Sequence, residues 1–552
     1  MSSPKPALVT QRSARRLPRV PLLLLCAAYL MPGLFGRDPW RNADMAAFGQ
    51  MVAIAEGRTS WLAPTLGGVP ADSALLPHWL GAAFIAAGSG WLEPALAARV
   101  PFVLLLALTL ALVWYTTFHL ARTEAAQPVP FAFGGEAQPV DYARAIADGA
   151  VLALMATLGL LQLGHETTPE LAQLSAISLF LYALATAPYY RWRPRMAAVM
   201  ALVLLAGSGA PAMAVASGLA GVVVCLGSRY PQVRTLAAWV VIATLAAAAM
   251  AWALGNWRWR MAAWSGGDAA AIARQWLWFL WPVWPLALWT LWRWRQHLSF
   301  RHLSVPLVAV VVGLAGNLAM AGSDRALMLS LPGWAVLAAF ALPTLKRSAS
   351  AGIDWFSMCF FSLSAITIWV VYASLQVGVP AQPAINVSRL APGYESQFSV
   401  VALLLAAAGT GTWLWLVRWR TGRHREALWK SLVLPAGGVA LCWLLLMTLW
   451  LPLLDYARSP RPYVARLAAH IAATDCIAAP GLPMATVAAL EHFGRWRVEA
   501  ALDAASRECG VLLQVSRTGP PAPPPGWQLV ARVRRSTDRN EQTWVYRRAA
   551  AP

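Results

Sequence analysis

The chain has 552 residues, 59% of them hydrophobic and only 12% charged, and its mean hydropathy is +0.53. These values exclude an ordinary soluble multidomain enzyme and put most of the chain in lipid. A formal charge of +20 would suit nucleic acid, but the basic residues fall between apolar segments and do not share one face. They read as topology signals, and nucleic acid is excluded as a partner.

Lys5, Arg12, Arg15, Arg16 and Arg19 precede the first apolar segment, which makes 1–20 a cytoplasmic N-terminus. The transmembrane region then covers 21–454. Its first span, Pro21 to Gly36, delivers an external loop, 37–77. The next apolar piece, Pro77 to Ala87, reaches only about 17 Å as a helix and is expected to lie at the interface or re-enter.

Ala97 to Leu120 returns to a hydrophilic cytoplasmic insert, Ala121 to Asp148, and Ala150 to Leu163 leads out to the sequence His165-Glu166-Thr167-Thr168-Pro169-Glu170. Leu171 to Ala187 comes back to Arg191, Arg193 and Arg195. The short pair Met196 to Leu205 and Ala212 to Leu226 goes out and back, and Leu236 to Leu254 goes out again. Trp276 to Trp292, Val305 to Met320, Ala326 to Leu345, Trp355 to Leu375, Phe398 to Val417 and Ser431 to Leu454 complete the series. The count comes to about thirteen spans. The resulting cytoplasmic segments hold 22 Lys and Arg against 9 on the external side before Asp455, Arg99 at the outer end of its span included, a bias in the sense that topology requires. The thirty tryptophans, many at span ends, fit interfacial belts.

From Asp455 the composition becomes that of a soluble domain, 455–552. Tyr463 to Ala473 and Met484 to His492 read as helices; Gly510 to Val515, Trp527 to Val533 and Thr543 to Tyr546 read as strands. The fold class is therefore an all-α polytopic membrane protein with a C-terminal extracytoplasmic α/β domain. Cys476 and Cys509 alone lie outside the apolar segments, in a compartment that topology makes oxidising, and a disulfide between them is expected.

Carboxylates are few outside the membrane. The first loop carries Asp38, Asp44, Glu56 and Asp72, and Glu166 and Glu170 follow later. The loop sequence FGRDPWRNADMAAFGQMVAIAEGRTSWLAPTLGG resembles the first external loop of the lipid A aminoarabinose transferases and protein O-mannosyltransferases. These are membrane glycosyltransferases of the GT-C class. The resemblance covers roughly the first 230 residues in order and spacing. Asp44 sits where the mannosyltransferase pattern has its acidic residue, whereas the aminoarabinose pattern drifts toward Asn42 and keeps Asp38 as a rival. Two departures stand out. The acidic-Lys-Pro motif is replaced by Val69-Pro70-Ala71-Asp72-Ser73, without the lysine, and the second acidic site reads His165-Glu166 in place of an aspartate.

The resemblance implies transfer of a sugar, with inversion, from a polyprenyl (undecaprenyl) phosphate donor to an extracytoplasmic acceptor such as lipid A or protein, at a bacterial inner membrane. Such chemistry needs a base at the acceptor hydroxyl and cations at the departing phosphate. Asp44 is the candidate base, and Glu166 is the residue expected to orient the acceptor or help hold a divalent metal ion. Arg58, Arg258, Arg260 and Arg325 are the candidates for phosphate, because a guanidinium fork matches phosphate oxygens. Asp38, Asp72 and His165 complete the substrate-binding set. The structural alternatives are ordinary ones: a helix cap for Asp44 and Glu166, a turn for Asp38, interfacial anchors for Arg258 and Arg260, a hydrogen-bond donor for His165. A transporter or flippase of a lipid-linked substrate is the alternative function. It would place its charged groups at mid-membrane depth.

Overall fold

The fold was analysed in a computed structural model, which describes 8–548 apart from 41, 71–73, 131–133, 256, 258–261, 263–267, 423–426, 502–508, 517–518, 520, 522–524 and 536–541. Six of the described helices are long and apolar enough to cross a membrane: Pro94–Ala121, Pro231–Ala253, Arg301–Ala319, Arg347–Val377, Val400–Thr421 and Leu428–Leu446. Five shorter apolar helices accompany them, among them Arg19–Leu30, Pro211–Leu226 and Leu331–Thr344. The expected thirteen spans exceed this set because several apolar runs are broken.

Proline and glycine account for the breaks. The first run is helical only over Arg19–Leu30 and turns at Pro32 and Gly33, where φ is +82°. The run from Trp276 to Trp292 is two helices, Asp268–Phe279 and Val283–Arg293, separated at Pro282. The last run divides into Val433–Leu446 and Leu451–Arg458, the latter opening with Pro452. Proline lacks the N–H that a helix interior needs, so each break follows from the sequence.

One expected loop is a helix. The presumed hydrophilic insert ends early, and Pro139–Ala156 forms one continuous helix whose residues from Tyr142 onward are mostly buried. It packs against Leu331–Ala341 and Val433–Leu446. Alanine supplies six of its 18 residues, and Gly149 lies so close to Leu342 that an added Cβ would come within 2.5 Å of its Cδ1. Small side chains allow that approach. Its single buried carboxylate, Asp148, accepts bonds from the Leu17 N–H at 2.8 Å and from Trp114 Nε1 at 2.8 Å.

The segment after Asp455 carries helices Arg461–Ala468 and Met484–Phe493 and a five-stranded mixed sheet. The strand order is Arg497–Glu499, Cys476–Ala478, Val511–Ser516, Gln542–Arg548, Trp527–Arg534. The first three are mutually parallel and the last two pair antiparallel. The two short strands Cys476–Ala478 and Arg497–Glu499 are additions to the sequence reading; three residues are too few to show periodicity. Cys476 and Cys509 are disulfide-bonded, with Cα atoms 4.7 Å apart.

The first loop is docked on this segment. Its helix Ala43–Ala55 lies against Met484–Phe493, and a Cβ on Gly49 would fall 2.3 Å from the Cβ of Ala488. The hairpin Thr65–Leu66/Val69–Pro70 turns through Gly67 and Gly68, both at positive φ. The carbonyl of Gly67 accepts the Ala500 N–H at 2.7 Å. Glycine at 49 is thus required by contact, and at 67 and 68 by a backbone region that other residues adopt only with strain.

Candidate functional site

Two polar assemblies form where the first loop, the segment after Leu163 and the short helix Leu451–Arg458 meet. The inner one centres on Asp44, in the first turn of the loop helix. Its Oδ2 accepts the Trp40 N–H at 2.9 Å, and its Oδ1 accepts both the Thr167 N–H at 2.8 Å and Thr167 Oγ1 at 2.7 Å. Arg37 Nη2 stands 3.7 Å from Asp44 Oδ2, both side chains wholly buried, and donates to the His165 carbonyl at 2.6 Å. Burial acts to raise the Asp44 pKa, but the charges of Arg37 and Arg99 and the bonds from Trp40 and Thr167 outweigh it and hold the carboxyl below its ordinary range. Asp44 is an ionised anchor that fastens the loop to the His165–Thr168 turn.

The outer assembly is a chain of alternating charge. Arg325, in the helix Asp324–Met328 capped by Ser323, donates to Glu166 Oε2 at 2.5 Å, to Thr168 Oγ1 at 2.9 Å and to Glu170 Oε2 at 3.3 Å. Burial works against the charged Arg325, but Glu170 and Glu166 overcome it and raise its pKa. The other oxygen of Glu166 accepts Gln162 Nε2 at 2.9 Å, and Gln162 Oε1 accepts Arg458 Nη1 at 2.6 Å. Only one orientation of the Gln162 amide serves here, since a carboxylate only accepts and a guanidinium only donates.

Trp40 joins the two assemblies. The guanidinium groups of Arg37 and Arg458 lie 4.7 and 4.9 Å from its ring centroid. Its Nε1 donates to Asp455 Oδ1 at 2.7 Å. Burial and the neighbouring Asp38 carboxylate outweigh the bonds from Trp40 and the Asp38 N–H, and Asp455 is pushed up to about 6.

Several expected substrate-binding residues lie elsewhere. Asp38 makes a two-pronged ion pair with Arg461, at 2.8 and 2.6 Å, and accepts Ser459 Oγ at 2.8 Å. Burial acts to raise its pKa, yet these partners lower it. Arg58 pairs with Glu56 and Glu491. Both residues tie the first loop to the segment beyond Asp455, because that segment supplies partners that the loop sequence alone did not reveal. His165 is buried, with Nδ1 2.6 Å from the Leu161 carbonyl and Nε2 2.8 Å from the Tyr29 carbonyl. Burial lowers its pKa to about 4, so at neutral pH it carries one N–H and satisfies one of the two carbonyls. Its ring packs on Tyr29 and Trp443 and supports the turn from inside. Asp72, Arg258 and Arg260 lie outside the described residues.

Arg37, Arg99, Gln162, Arg458 and Asp455 were missed. Arg37 could have been noted as the first cation after the first span, but Gln162 and Arg458 are far apart in sequence and meet only in the fold. Among the described residues no three His, Cys, Asp or Glu side chains gather to hold a metal ion. The residues therefore do not fit the expected divalent cation, and no step is derived through one.

An apolar cavity of about 350 Å³ adjoins the site, lined by Leu158, Leu161, Phe360, Phe361, Ile368 and Leu446 among others. Leu161 and Leu446 also pack against the Trp40–Trp443 cluster. One layer of side chains thus has an oily face toward the cavity and, at the adjacent Gln162, a polar face toward Glu166.

No family model matches the sequence, and no curated protein matches it. Solved structures do. The chain superimposes on ArnT from Cupriavidus metallidurans bound to undecaprenyl phosphate with a TM-score of 0.59 at 14% identity, covering 96% of this chain and 97% of that one. The apo state of the same protein gives 0.55 at 14% identity, with 96% of each chain covered. From its first apolar helix to its C-terminal sheet, the chain has the fold of ArnT.

Proposed function

We propose that this chain transfers a sugar from a polyprenyl phosphate donor to an acceptor outside the cytoplasm. The observation that carries this is the junction of an apolar cavity with a paired carboxylate and amide, Glu166 and Gln162, held between two guanidinium groups, in a chain that shares the fold of an undecaprenyl phosphate-bound protein. A lipid phosphate needs both halves: apolar wall for its chain and cations for its head.

In the reaction an acceptor hydroxyl attacks the anomeric carbon, the new C–O bond forms as the bond to phosphate breaks, and the phosphate leaves with the electron pair. The hydroxyl proton passes to a carboxylate. We assign that role to Glu166, a buried carboxylate whose partner Arg325 is partly exposed. Asp44, the base expected from sequence, has three hydrogen bonds and a wholly buried ion pair. It orders the loop and fixes Thr167 next to Glu166. Arg325 stabilises the departing phosphate. The lysine absent from the first-loop motif leaves that work to arginine.

The test is release of polyprenyl phosphate, a product common to every acceptor. The full chain, in proteoliposomes with a polyprenyl phosphate sugar, is given separate lipid and protein acceptor fractions. Acceptor-dependent release that falls with Glu166→Gln supports the reading and names the acceptor class. Movement of the intact lipid-linked sugar across the bilayer without release would replace it with transport.

A further inference from the structure

The geometry points to Arg458 as a second donor-phosphate ligand, facing Arg325 across the Gln162–Glu166 pair and brought there by the short helix that leads into the C-terminal domain. The inference rests on the transferase reading above and adds a residue that no first-loop motif contains.

Three observations carry it. First, Arg458 and Arg325 reach one unit from two sides: Arg458 Nη1 donates to Gln162 Oε1 at 2.6 Å, Gln162 Nε2 to Glu166 Oε1 at 2.9 Å, and Arg325 Nη2 to Glu166 Oε2 at 2.5 Å. The paired amide and carboxylate thus present oxygen acceptors to both guanidinium groups, as a phosphate would. Second, Arg458 is aimed: its guanidinium lies 4.9 Å from the Trp40 centroid, and Trp40 is fixed by its Nε1 bond to Asp455, one helical turn earlier on the helix that bears Arg458. A guanidinium stacked on a ring directs its fork along the ring edge, and lysine cannot reproduce that. Third, the position suits a lipid phosphate, because Leu161, next to Gln162, lines the 350 Å³ apolar cavity.

The same arrangement links binding to catalysis. A phosphate that engages Arg325 and Arg458 takes over the donors that now hold Glu166 and Gln162. The carboxylate of Glu166 is then released to accept the proton of the acceptor hydroxyl. In the absence of donor it stays paired. The base is therefore armed by the lipid whose bond is to be broken, and the C-terminal segment takes part in that step through Arg458.

The experiment measures binding of undecaprenyl phosphate, with undecaprenol as the phosphate-free control, to the full chain in nanodiscs. Wild type is expected to prefer the phosphate. Arg458→Gln should weaken phosphate binding by about 10- to 100-fold, the loss of one charge-assisted contact, with undecaprenol binding and the unliganded melting temperature nearly unchanged. Arg458→Lys should fall between. Gln162→Leu removes the competitor for Arg458 and should tighten phosphate binding by about two- to tenfold. If Arg458→Gln binds the phosphate as wild type does while Arg325→Gln does not, Arg458 is no ligand. If Gln162→Leu weakens binding as much as Arg458→Gln, Arg458 acts only by holding Gln162, and the assignment is overturned; this pair also decides the matter, through Arg458→Lys, should Arg458→Gln not fold. A wild type that does not distinguish phosphate from alcohol overturns the transferase reading itself, and this inference with it.

Discussion

Asp44 and Glu166 are both carboxylates paired with arginine, only a few side chains apart, and the proposed reading gives them different work. Asp44 is enclosed: three donated hydrogen bonds and a wholly buried Arg37 leave it no free face. Glu166 is bound at its two oxygens by Gln162 and Arg325, and the Arg325 side chain is 24% exposed. Partners that can be exchanged for substrate make a reactive group; partners that cannot make a structural one. The contrast is set by what surrounds each group, not by its chemical type.

The largest expected effect would break this contrast at its inner member. Asp44→Asn turns an amide N–H₂ toward donors and leaves Arg37 uncompensated, and breaking such a buried pair costs about 3 to 5 kcal/mol. Denaturation in detergent should show that loss, together with poor yield. An Asp44→Asn protein that folds like wild type but is inactive would return Asp44 to the role of base. Next comes the outer member. Glu166→Gln keeps an oxygen for Arg325 but turns its N–H₂ toward the Gln162 amide and removes the charge, so stability should fall by about 1 to 3 kcal/mol while turnover falls by about 10²- to 10⁴-fold, the usual contribution of a positioned base. Retained turnover would end its assignment.

Gly49→Val sharpens the comparison from outside the site. A side chain at Gly49 meets Ala488, so the loop helix must back away from Met484–Phe493, at about 1 to 3 kcal/mol. The melting temperature should fall, and Asp44 and Trp40, which share the loop, should shift with it. An unchanged melting temperature would show that this docking is loose. The smallest effect concerns pH. The folded Asp455 carboxyl is raised to about 6, so its contribution is fully present below the unfolded value near 4 and is lost as pH rises through 6. His165, lowered to about 4, acts in the opposite sense over pH 7 to 5, so the measurement is the difference between wild type and Asp455→Asn, which should shift in favour of wild type as pH falls from 7 to 5. Asp44 and Asp38 have lowered pKa values, so their stabilisation persists at neutral pH and is lost only on acidification below about 4. A wild-type profile that runs parallel to that of Asp455→Asn from pH 7 to 5 would contradict the shift at Asp455.

Much of the fold could be read before any coordinates. The long helices Pro94–Ala121, Pro231–Ala253 and Arg347–Val377 fall on the expected apolar runs, because length and hydropathy are local properties. The longer C-terminal strands and both of its helices were also legible from periodicity. Helix Pro139–Ala156 was not, since its first turns are polar in sequence and the helix is buried by packing on Pro94–Ala121 and on two helices distant in the chain.

For the site, the sequence by itself determined the inventory: few carboxylates between the apolar runs, Asp44 in a helix-opening position, Glu166 beside Thr167, and Arg325 after Gly322-Ser323-Asp324. Scarcity and local spacing suffice for that. The tertiary structure alone decided the partners. It sent Asp38 to Arg461 and Arg58 to Glu491, sealed Asp44 under Thr167, and carried Arg458 across 296 positions to Gln162. Charge pairing acts through space at a few ångströms, and a sequence records order along the chain, so which cation meets which carboxylate was settled only when the helices packed.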